Sequence, residues 1–411
     1  MRQSKLFGKT RKDISKDEKS INAQLLTKAG FIKKQMAGAY NYLPLGLRVF
    51  RKIENIIREE MNKIGGQEIL MPSLQAKELW EKTGRWQEMK SIMYQFKDQH
   101  GSDIGLGATH EEVITDIVKK HLTSYKDLPI YLYQIQNKFR DEKRAKSGLL
   151  RGREFIMKDL YSFNKDEESM DKYYQKTQQA YLKIFKRLGL NAFSVEASGG
   201  DMSKEYSHEF MVKTEAGEDI TVLCNQCQWA QNKEIAKIKD GHNCPRCNNK
   251  VQEYKTVEAG NIFKLGTTYS QALNLKYRDK EDQEKLVIMG SYGIGLGRVM
   301  GTIVEVSHDK EGIIWTKEST PYHIHLLNLV KNDKKKADKI YLKLKKLGFD
   351  VLYDERDISY GKKLKDADLI GIPWQIIVNN QKKVELKERK KQEKSILFLI
   401  SGIKKIKKYY N

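Results

Sequence analysis

The sequence has no uncharged apolar run approaching the roughly 20 residues that a membrane-spanning helix needs. Its first 20 residues are basic but lack the apolar core of a secretory signal. No internal repeat or low-complexity linker is visible either. We therefore expect a cytoplasmic protein without a membrane partner.

Acidic residues are scarce relative to basic ones. The chain has 54 Asp and Glu against 76 Lys and Arg, a net charge of +22 and a pI near 9.5. Proteins that neutralise phosphates tend to fall in this range, so nucleic acid is the leading partner. Residues 331–411 alone hold 23 basic and 11 acidic residues, which predicts a polyanion-binding module there. A lysine-rich solvated surface is the alternative for this tail taken alone.

The usual signatures of nucleophilic and nucleotide-hydrolysing enzymes are also missing. The chain has no Ser/His/Asp or Cys/His nucleophile pattern and no Walker A sequence, so any chemistry must rest on positioning and charge. The stretch GSYGIGLGRV, residues 290–299, has G-x-G-x-G and not the dinucleotide-binding G-x-G-x-x-G. We interpret it as a strand, a glycine-rich turn and a helix whose Arg298 points at a phosphate. Tight packing of helix on sheet would explain the glycines equally well.

Length and hydrophobic pattern predict an α+β protein of two or three domains, at about 150 residues per domain. Apolar spacings of three and four predict a helix over residues 46–64 and another over 166–188. Residues 128–163 read as two antiparallel strands around a loop. Beyond Pro321, strands and helices alternate, which indicates a small α/β domain of about 90 residues.

The four cysteines form two C-x-x-C knuckles separated by 16 residues. This spacing is typical of a structural zinc site, and four thiolates leave no position open for water. His242 is a candidate replacement ligand, and a degenerate knuckle without metal is the alternative. The candidate ligands are Cys224, Cys227, Cys244 and Cys247.

Two further stretches carry candidate binding residues. The loop between the paired strands holds Lys143, Arg144, Lys146, Arg151 and Arg153, which a surface hairpin does not need unless a strongly anionic ligand binds there. The stretch LGATHEEV places Thr109, Glu111 and Glu112 beside a helix start. On local evidence alone, Thr109 as a helix N-cap is the favoured interpretation of that stretch.

In this order, the pieces resemble a class II aminoacyl-tRNA synthetase, specifically a prolyl-tRNA synthetase of the bacterial type. The helix and strand ending at Pro72 resemble the first motif of the class. FRDE (139–142) and the loop after it resemble the second motif, and GSYGIGLGR resembles the third. More specific prolyl-type stretches span nearly the whole chain: AGFIKKQMAGAYNYLPLG (29–46), ELWEKTGRW (78–86), THEEVITD (109–116), REFIMKDLYSF (153–163), SHEF (207–210), NIFKLGTTYS (261–270) and DADLIGIP (366–373).

The resemblance implies a catalytic domain built on an antiparallel sheet and a C-terminal α/β anticodon-binding domain. We expect the catalytic domain to span residues 1–214 and 256–318. A four-cysteine, zinc-knuckle-like insert should span residues 215–255, and the anticodon-binding domain should span residues 319–411. The family also implies ATP, Mg²⁺, L-proline and tRNA(Pro) as ligands, and a homodimer. Structural Zn²⁺ would belong to the insert.

The same resemblance assigns roles to site residues. Arg140 would contact the α-phosphate and the amino-acid carboxylate, Glu142 would help hold the nucleotide, and Arg298 would bind the γ-phosphate. Thr109 and Glu111 would hold the proline imino group, with Asn261 lining the same pocket. Phe155 would stack on adenine, and Glu258 would lie near ATP and Mg²⁺. The remaining expected ATP contacts are Arg151 and Ser291.

Three departures from the family pattern stand out. Ala108 replaces the usual Pro before the T-H-E-E stretch, and Asn261 replaces the usual His before I-F. The cysteine-bearing segment occupies the region where longer bacterial forms carry an editing module. We therefore expect no removal of misattached alanine in cis, and a separate deacylase as a candidate partner.

Other functions remain open to test. A catalytically silent relative serving as a tRNA-binding subunit would keep the fold but be free to lose Arg140, Glu142 and Arg298, all of which are present. A relative that charges threonine or glycine is disfavoured by the prolyl-type stretches. A noncatalytic zinc-dependent nucleic-acid-binding protein would leave THEE and FRDE unexplained.

Overall fold

The computed structural model describes residues 1–13, 18–145, 147–200, 202, 206–331 and 333–410. The chain forms two compact units. The larger unit comprises Met36–Ala39 and Glu54–Thr302, and the smaller comprises Met1–Gln35, Tyr40–Ile53 and Ile303–Asn411. Within the described residues no helix is long and apolar enough to cross a membrane.

Eleven α-helices are present in the described residues, and the predicted helices over 46–64 and 166–188 are confirmed by α2 and α6. The helices are α1 (Ile21–Lys28), α2 (Pro44–Lys63), α3 (Lys77–Lys82), α4 (Arg85–Glu88), α5 (Glu111–Lys119), α6 (Glu167–Arg187), α7 (Thr268–Leu273), α8 (Leu296–Val306), α9 (Lys335–Lys346), α10 (Tyr360–Ile370) and α11 (Leu399–Tyr410).

The strands alternate with these helices along the chain. They are β1 (Ile32–Met36), β2 (Ala39–Tyr42), β3 (Gln67–Glu68), β4 (Leu74–Ala76), β5 (Gln95–Lys97), β6 (Asp103–Leu106), β7 (Ile130–Phe139), β8 (Glu154–Asn164), β9 (Ala192–Ala197), β10 (Ser207–Lys213), β11 (Asp219–Leu223), β12 (Ala230–Asn232), β13 (Gln252–Gly266), β14 (Lys276–Arg278), β15 (Glu284–Leu286), β16 (Ile288–Gly295), β17 (His308–Asp309), β18 (Gly312–Ile313), β19 (Ile324–Asn328), β20 (Val351–Asp354), β21 (Trp374–Val378), β22 (Val384–Glu388) and β23 (Lys394–Leu397).

A nine-stranded sheet organises the larger unit, in the order β10-β9-β12-β11-β13-β16-β8-β7-β3. The pairs β7–β8, β8–β16 and β13–β16 are antiparallel, and the predicted hairpin around the cationic loop is confirmed by the β7–β8 register. Helix α6 packs on this sheet, and its N-cap Asp166 accepts a hydrogen bond from the Ser169 backbone N–H at 2.8 Å. The expected antiparallel catalytic sheet is therefore present.

The smaller unit contains a five-stranded sheet in the order β20-β19-β21-β22-β23. Strand β19 is parallel to both β20 and β21, whereas β22 and β23 are antiparallel additions. Side chains of α9 and α11 share one core with this sheet, and α10 contributes Ala367 to a second cluster with Leu327 and Ile377. Helices on a mixed sheet with the parallel strands β20, β19 and β21 at one side confirm the predicted α/β domain.

The predicted glycine-rich turn before α8 is wrong. Residues 290–295 continue β16, and α8 begins directly after it at Leu296. Gly290 is required there by close packing, because a Cβ at this position would lie 2.4 Å from the Tyr292 hydroxyl and 2.9 Å from the Ser162 hydroxyl. Gly290 therefore lets side chains of β8 and β16 approach the strand closely, whereas a Cβ at Gly293 or Gly295 would make only ordinary contacts at 3.5 Å or more.

Candidate active site

Glu111 begins α5 and is held by hydroxyl groups from two parts of the larger unit. The Thr109 hydroxyl donates to Oε2 of Glu111, and the Ser291 hydroxyl, on β16, donates to Oε1 at 3.0 Å. Glu111 is buried, so an ionised carboxylate here needs these donors. The helix N-cap is His110, and it makes no side-chain cap. Capping by Thr109 is therefore wrong, because its hydroxyl is bonded to Glu111.

A second layer of contacts fixes this loop. The Gln75 side-chain amide donates to the Thr109 carbonyl at 3.0 Å, and the Trp80 indole N–H donates to Gln75 at 2.8 Å. Arg85 pairs with Glu112 at 2.8 Å and lies 3.8 Å from Glu111. Gln75 and Arg85 had no role in the sequence analysis, although Arg85 lies in the quoted stretch ELWEKTGRW.

Arg140 follows β7 and faces a second cation across the site. Its Nε donates to the Ala108 carbonyl at 3.3 Å, and its guanidinium lies 5.3 Å from the centre of the Phe155 ring. Burial and then the nearby Arg298 lower the pKa of Arg140. Arg298 disfavours the charge on Arg140, and a bound polyanion would relieve this repulsion.

The remaining cations of the site pair with carboxylates. Arg298 Nη1 lies 2.6 Å from Oε2 of Glu258, and its Nε donates to the Leu150 carbonyl at 3.0 Å. Arg151 pairs with Glu142 at 2.9 Å and with Glu218 at 3.1 Å. These pairs are partly exposed, so an incoming phosphate can exchange with the carboxylates at small cost. Lys146 of the same loop lies outside the described residues.

One cavity of about 400 Å³ collects every amino-acid- and ATP-binding residue named from the sequence. A pocket of this volume suits a small-molecule ligand. Within it, Oδ1 of Asn261 is buried and has no hydrogen-bond partner among the residues that the structure describes. The sequence-predicted residues that line the cavity are Thr109, Glu111, Arg140, Glu142, Arg151, Phe155, Glu258, Asn261, Ser291 and Arg298.

A buried ion pair also borders this cavity and was missed by the sequence analysis. Lys138 Nζ lies 2.7 Å from Oδ1 of Asp159, and Gln134 and the Tyr161 hydroxyl each donate to Oδ2 at 2.9 Å. Burial lowers the pKa of Lys138. The only available signal was the charge of Asp159 inside the apolar strand EFIMKDLYSF.

Three carboxylates cluster beside Arg298. Burial, followed by the charge of Glu258, raises the pKa of Glu209 to about 8 and that of Asp219 to about 6. The charge of Glu258 disfavours ionisation of both Glu209 and Asp219, and a divalent cation would relieve this repulsion. Oxygen ligands of this kind suit Mg²⁺. Glu209 and Asp219 were also missed from sequence.

The four cysteines converge as predicted, with all four Sγ atoms within 4.8 Å of one another. The Sγ separations are 3.4 Å for Cys224–Cys247 and 3.6 Å for Cys227–Cys244. Zn–S bonds of about 2.3 Å in tetrahedral geometry place sulfurs roughly 3.8 Å apart, so the donor set fits zinc. Among the described residues His242 is not part of the cluster.

The two knuckles have the same local geometry. Gln228 and Asn248 follow the second cysteine of each pair, and both have φ of 60°. Their backbone N–H groups donate to the carbonyls of Cys224 and Cys244, each at 2.9 Å. Two identical turns that present paired thiols are typical of a zinc ribbon.

Comparison with known proteins assigns the class. Residues 94–307 match the tRNA synthetase class II core domain (G, H, P, S and T), and residues 323–409 match an anticodon binding domain. The fold is similar to that of Giardia lamblia prolyl-tRNA synthetase solved in complex with prolyl-adenylate. That likeness has a TM-score of 0.78 at 18% identity and covers 95% of this chain and 79% of that one. The chain has the core domain of a class II aminoacyl-tRNA synthetase.

Sequence relatives narrow the assignment. A proline–tRNA ligase of Ehrlichia canis is 41% identical over 432 residues, covering 99% of this chain and 100% of that protein. One from Geotalea daltonii is 35% identical over 566 residues, covering 100% and 99% respectively. The chain belongs to the proline–tRNA ligase family.

Proposed function

We propose that the chain activates L-proline with ATP to give prolyl-adenylate and pyrophosphate, and then transfers proline to the 3′ end of tRNA(Pro). The observation that carries this proposal is the single cavity in which the buried carboxylate of Glu111 lies together with Arg140 and Arg298. An anionic group there suits the cationic ring nitrogen of proline, and the arginines suit its carboxylate and the phosphates of ATP.

The activation step needs no general base. One oxygen of the proline carboxylate attacks the α-phosphorus, and pyrophosphate leaves from the opposite side. Arg140 would bind the α-phosphate and the attacking carboxylate, while Arg298 would hold the γ-phosphate. The catalytic contribution is positioning and charge neutralisation, in line with the absence of a nucleophile pattern. In the second step, the terminal ribose hydroxyl attacks the prolyl carbonyl and AMP leaves.

The remaining residues of the cavity would hold the substrates. Thr109 and Glu111 would bind the ring nitrogen of proline, and the free Oδ1 of Asn261 would accept its second N–H. Phe155 would stack on adenine. The proposed nucleotide contacts are completed by Glu142, Arg151, Glu258 and Ser291.

We propose that the protein binds two kinds of metal ion. Mg²⁺ would neutralise ATP phosphates, with Glu258 and Asp219 supplying oxygen ligands. Zn²⁺ would be held by Cys224, Cys227, Cys244 and Cys247 in a structural role, because four thiolates leave no open coordination position. The match of sulfur separations to tetrahedral coordination supports zinc there.

Proline-dependent ATP–pyrophosphate exchange tests the activation step. Replacing Arg298 by Ala should lower the exchange rate about 100-fold, because a cation that stabilises the leaving pyrophosphate is removed. Arg278→Ala is a matched control, since Arg278 pairs with Asp282 on the surface and does not line the cavity. Equal exchange by the Arg298 and Arg278 variants would contradict the assignment. No exchange by the folded parent would favour a tRNA-binding subunit.

We also propose that the chain lacks editing in cis. The alignment with the Geotalea daltonii relative spans 566 positions for a chain of 411 residues, so at least 155 positions face gaps in this chain. A pocket separates amino acids that differ by one methylene by only about 1–3 kcal/mol, so some alanine should be attached. A separate deacylase would remove it. Hydrolysis of alanyl-tRNA(Pro) by the purified chain above the uncatalysed rate would contradict this.

The proposed organisation is a catalytic domain of residues 1–214 and 256–318, the four-cysteine insert 215–255 and the anticodon-binding domain 319–411. We propose the cytoplasm as its location and a homodimer as its assembly. Exposure of Leu70, shortly after β3, at 75% and of Leu74, the first residue of β4, at 59% supports an interface near the first class motif. Light scattering that gives the mass of a single chain at micromolar concentration would contradict the dimer.

A further inference from the structure

Two adjacent glutamates form the start of α5, and only one of them lines the cavity of the candidate active site. Glu111 is 1% exposed and lines the cavity, whereas Glu112 is fully buried and is not among the described lining residues. Both belong to the first turn of the helix. In the function proposed above, Glu111 binds the ring nitrogen of proline and Glu112 has no role.

Arg85 is shared unequally between these two carboxylates. Its Nη1 lies 2.8 Å from Oε1 of Glu112 and 3.8 Å from Oε2 of Glu111. The Thr83 hydroxyl donates to the same Oε1 of Glu112 at 3.0 Å. Burial raises the pKa of Glu112, and the charge of Arg85 opposes this rise. Glu112 is therefore the direct partner of Arg85, while Glu111 lies about 1 Å too far away for a hydrogen bond.

The carboxylate of Glu111 is held by neutral groups. The Thr109 hydroxyl donates to Oε2, and the Ser291 hydroxyl donates to Oε1 at 3.0 Å. Neutral donors stabilise an ionised carboxylate without cancelling its charge. Arg140 lines the same cavity, but the proline carboxylate and the α-phosphate would neutralise it there. The charge of Glu111 is therefore available to a cation.

The charge balance at the start of α5 matches the substrate. Glu111, Glu112 and Arg85 together carry one net negative charge. Lys138, a buried cation near Glu111, is paired with Asp159 at 2.7 Å and adds nothing to this balance. The ring nitrogen of proline carries one positive charge. Bound proline therefore leaves these buried groups neutral as a set, which avoids an uncompensated buried charge.

We propose that Glu112 is a positioning residue for proline binding, which holds Arg85 away from Glu111 so that Glu111 can pair with the ring nitrogen. This inference rests on the proposed function, which supplies L-proline as the ligand. Cation–π contacts at 5.0 Å with Trp80 and 5.4 Å with Tyr269 keep the guanidinium close to both carboxylates. Without the charge of Glu112, Arg85 would turn to Glu111 and compete with the substrate for it.

The test uses two variants of the full chain. Glu112→Gln removes the charge and keeps the shape, and Arg85→Met/Glu112→Gln removes both charges. The KM values for proline and ATP are measured in ATP–pyrophosphate exchange, and the Kd for L-proline by isothermal titration calorimetry. Asp309→Asn is the matched control. It leaves the buried Arg389 of the smaller unit, 2.6 Å from Asp309 and 4.0 Å from Asp368, in the position that Glu112→Gln creates for Arg85.

Glu112→Gln should raise the KM and the Kd for proline about 10-fold, because the ring nitrogen must displace Arg85 from Glu111. The KM for ATP should stay close to that of the parent. The double variant should bind proline within about threefold of the parent, because Glu111 is again the one net charge and a buried pair replaced by neutral groups of similar shape costs little. Asp309→Asn should leave all three constants unchanged.

Three results would overturn the inference. The first is weakened proline binding in the double variant, which counts even if Glu112→Gln alone does not fold. The second is an unchanged Kd for proline in folded Glu112→Gln. The third is an equal rise of both KM values in that variant, which indicates a general structural defect.

Failure of the proposed activity gives a different result. A parent that binds L-proline in the calorimeter but exchanges no pyrophosphate would overturn the activity alone, and the Kd values would still test the role of Glu112. A parent that binds no proline would overturn both.

Discussion

The unpaired Oδ1 of Asn261 predicts two opposite effects, one on the stability of the fold and one on the affinity for proline. Among the described residues this buried atom has no hydrogen-bond partner, which costs about 1–3 kcal/mol of stability. A hydrogen bond to a charged group contributes about 1.5–3 kcal/mol, so the cationic nitrogen of proline would recover this cost on binding. Asn261 should thus lower the stability of the fold and raise the affinity for the substrate.

Asn261→Leu separates the two effects, because leucine has similar volume and no acceptor. We expect the free energy of unfolding in denaturant to rise by about 1–3 kcal/mol. We expect the KM for proline in ATP–pyrophosphate exchange to rise about 10-fold or more, since each 1.4 kcal/mol is a factor of ten. The KM for ATP should stay close to that of the parent.

Asn261→His is the companion variant, because it returns the residue that the family usually has at this position and keeps a polar group in the pocket. It should hold the KM for proline within about threefold of the parent. A leucine variant that is less stable than the parent and binds proline equally well would refute the reasoning, since Oδ1 would then be satisfied in the free protein and unused by the substrate.

Three further predictions follow from buried or clustered groups. Asp159→Asn should lower the free energy of unfolding by about 3–5 kcal/mol because Lys138 is left buried without a counter-charge; an unchanged denaturation midpoint would contradict this. Cys227→Ser should remove bound zinc, measured by elemental analysis, and lower Tm by about 5 °C or more, whereas a zinc-free parent would rule out the site. The pKa of Glu209 is raised to about 8 and that of Asp219 to about 6, so between pH of about 5 and 8 the folded protein keeps protons that the unfolded chain has lost. Stability should therefore fall as pH rises through this window, and Glu209→Gln should flatten the slope measured by denaturation at several pH values.

Local pattern was enough for much of the architecture. The spacing of apolar residues predicted α2 and α6, and two extended segments around a cationic loop predicted the β7–β8 hairpin. The two C-x-x-C pairs predicted a cluster whose sulfur atoms do converge. In each case the signal lies within a short stretch, where the period of a helix or strand fixes which side chains share a face.

Contacts between distant segments were not predictable in the same way. Gln75 supports Thr109 from 34 residues away, and Ser4 bonds Glu355 across 351 residues. No local period relates such positions, because register and tertiary packing bring them together. The misread turn at Gly290 has the same origin, since the Ser162 hydroxyl that restricts this position comes from the neighbouring strand β8.

Amino-acid-dependent ATP–pyrophosphate exchange, without tRNA and with proline, alanine, threonine and glycine compared on one preparation, tests the central claim most directly. The account predicts exchange strongest with proline, weak exchange with alanine and none above background with threonine or glycine. Exchange led by another amino acid, or absent with all four in a folded and zinc-replete sample, would contradict it.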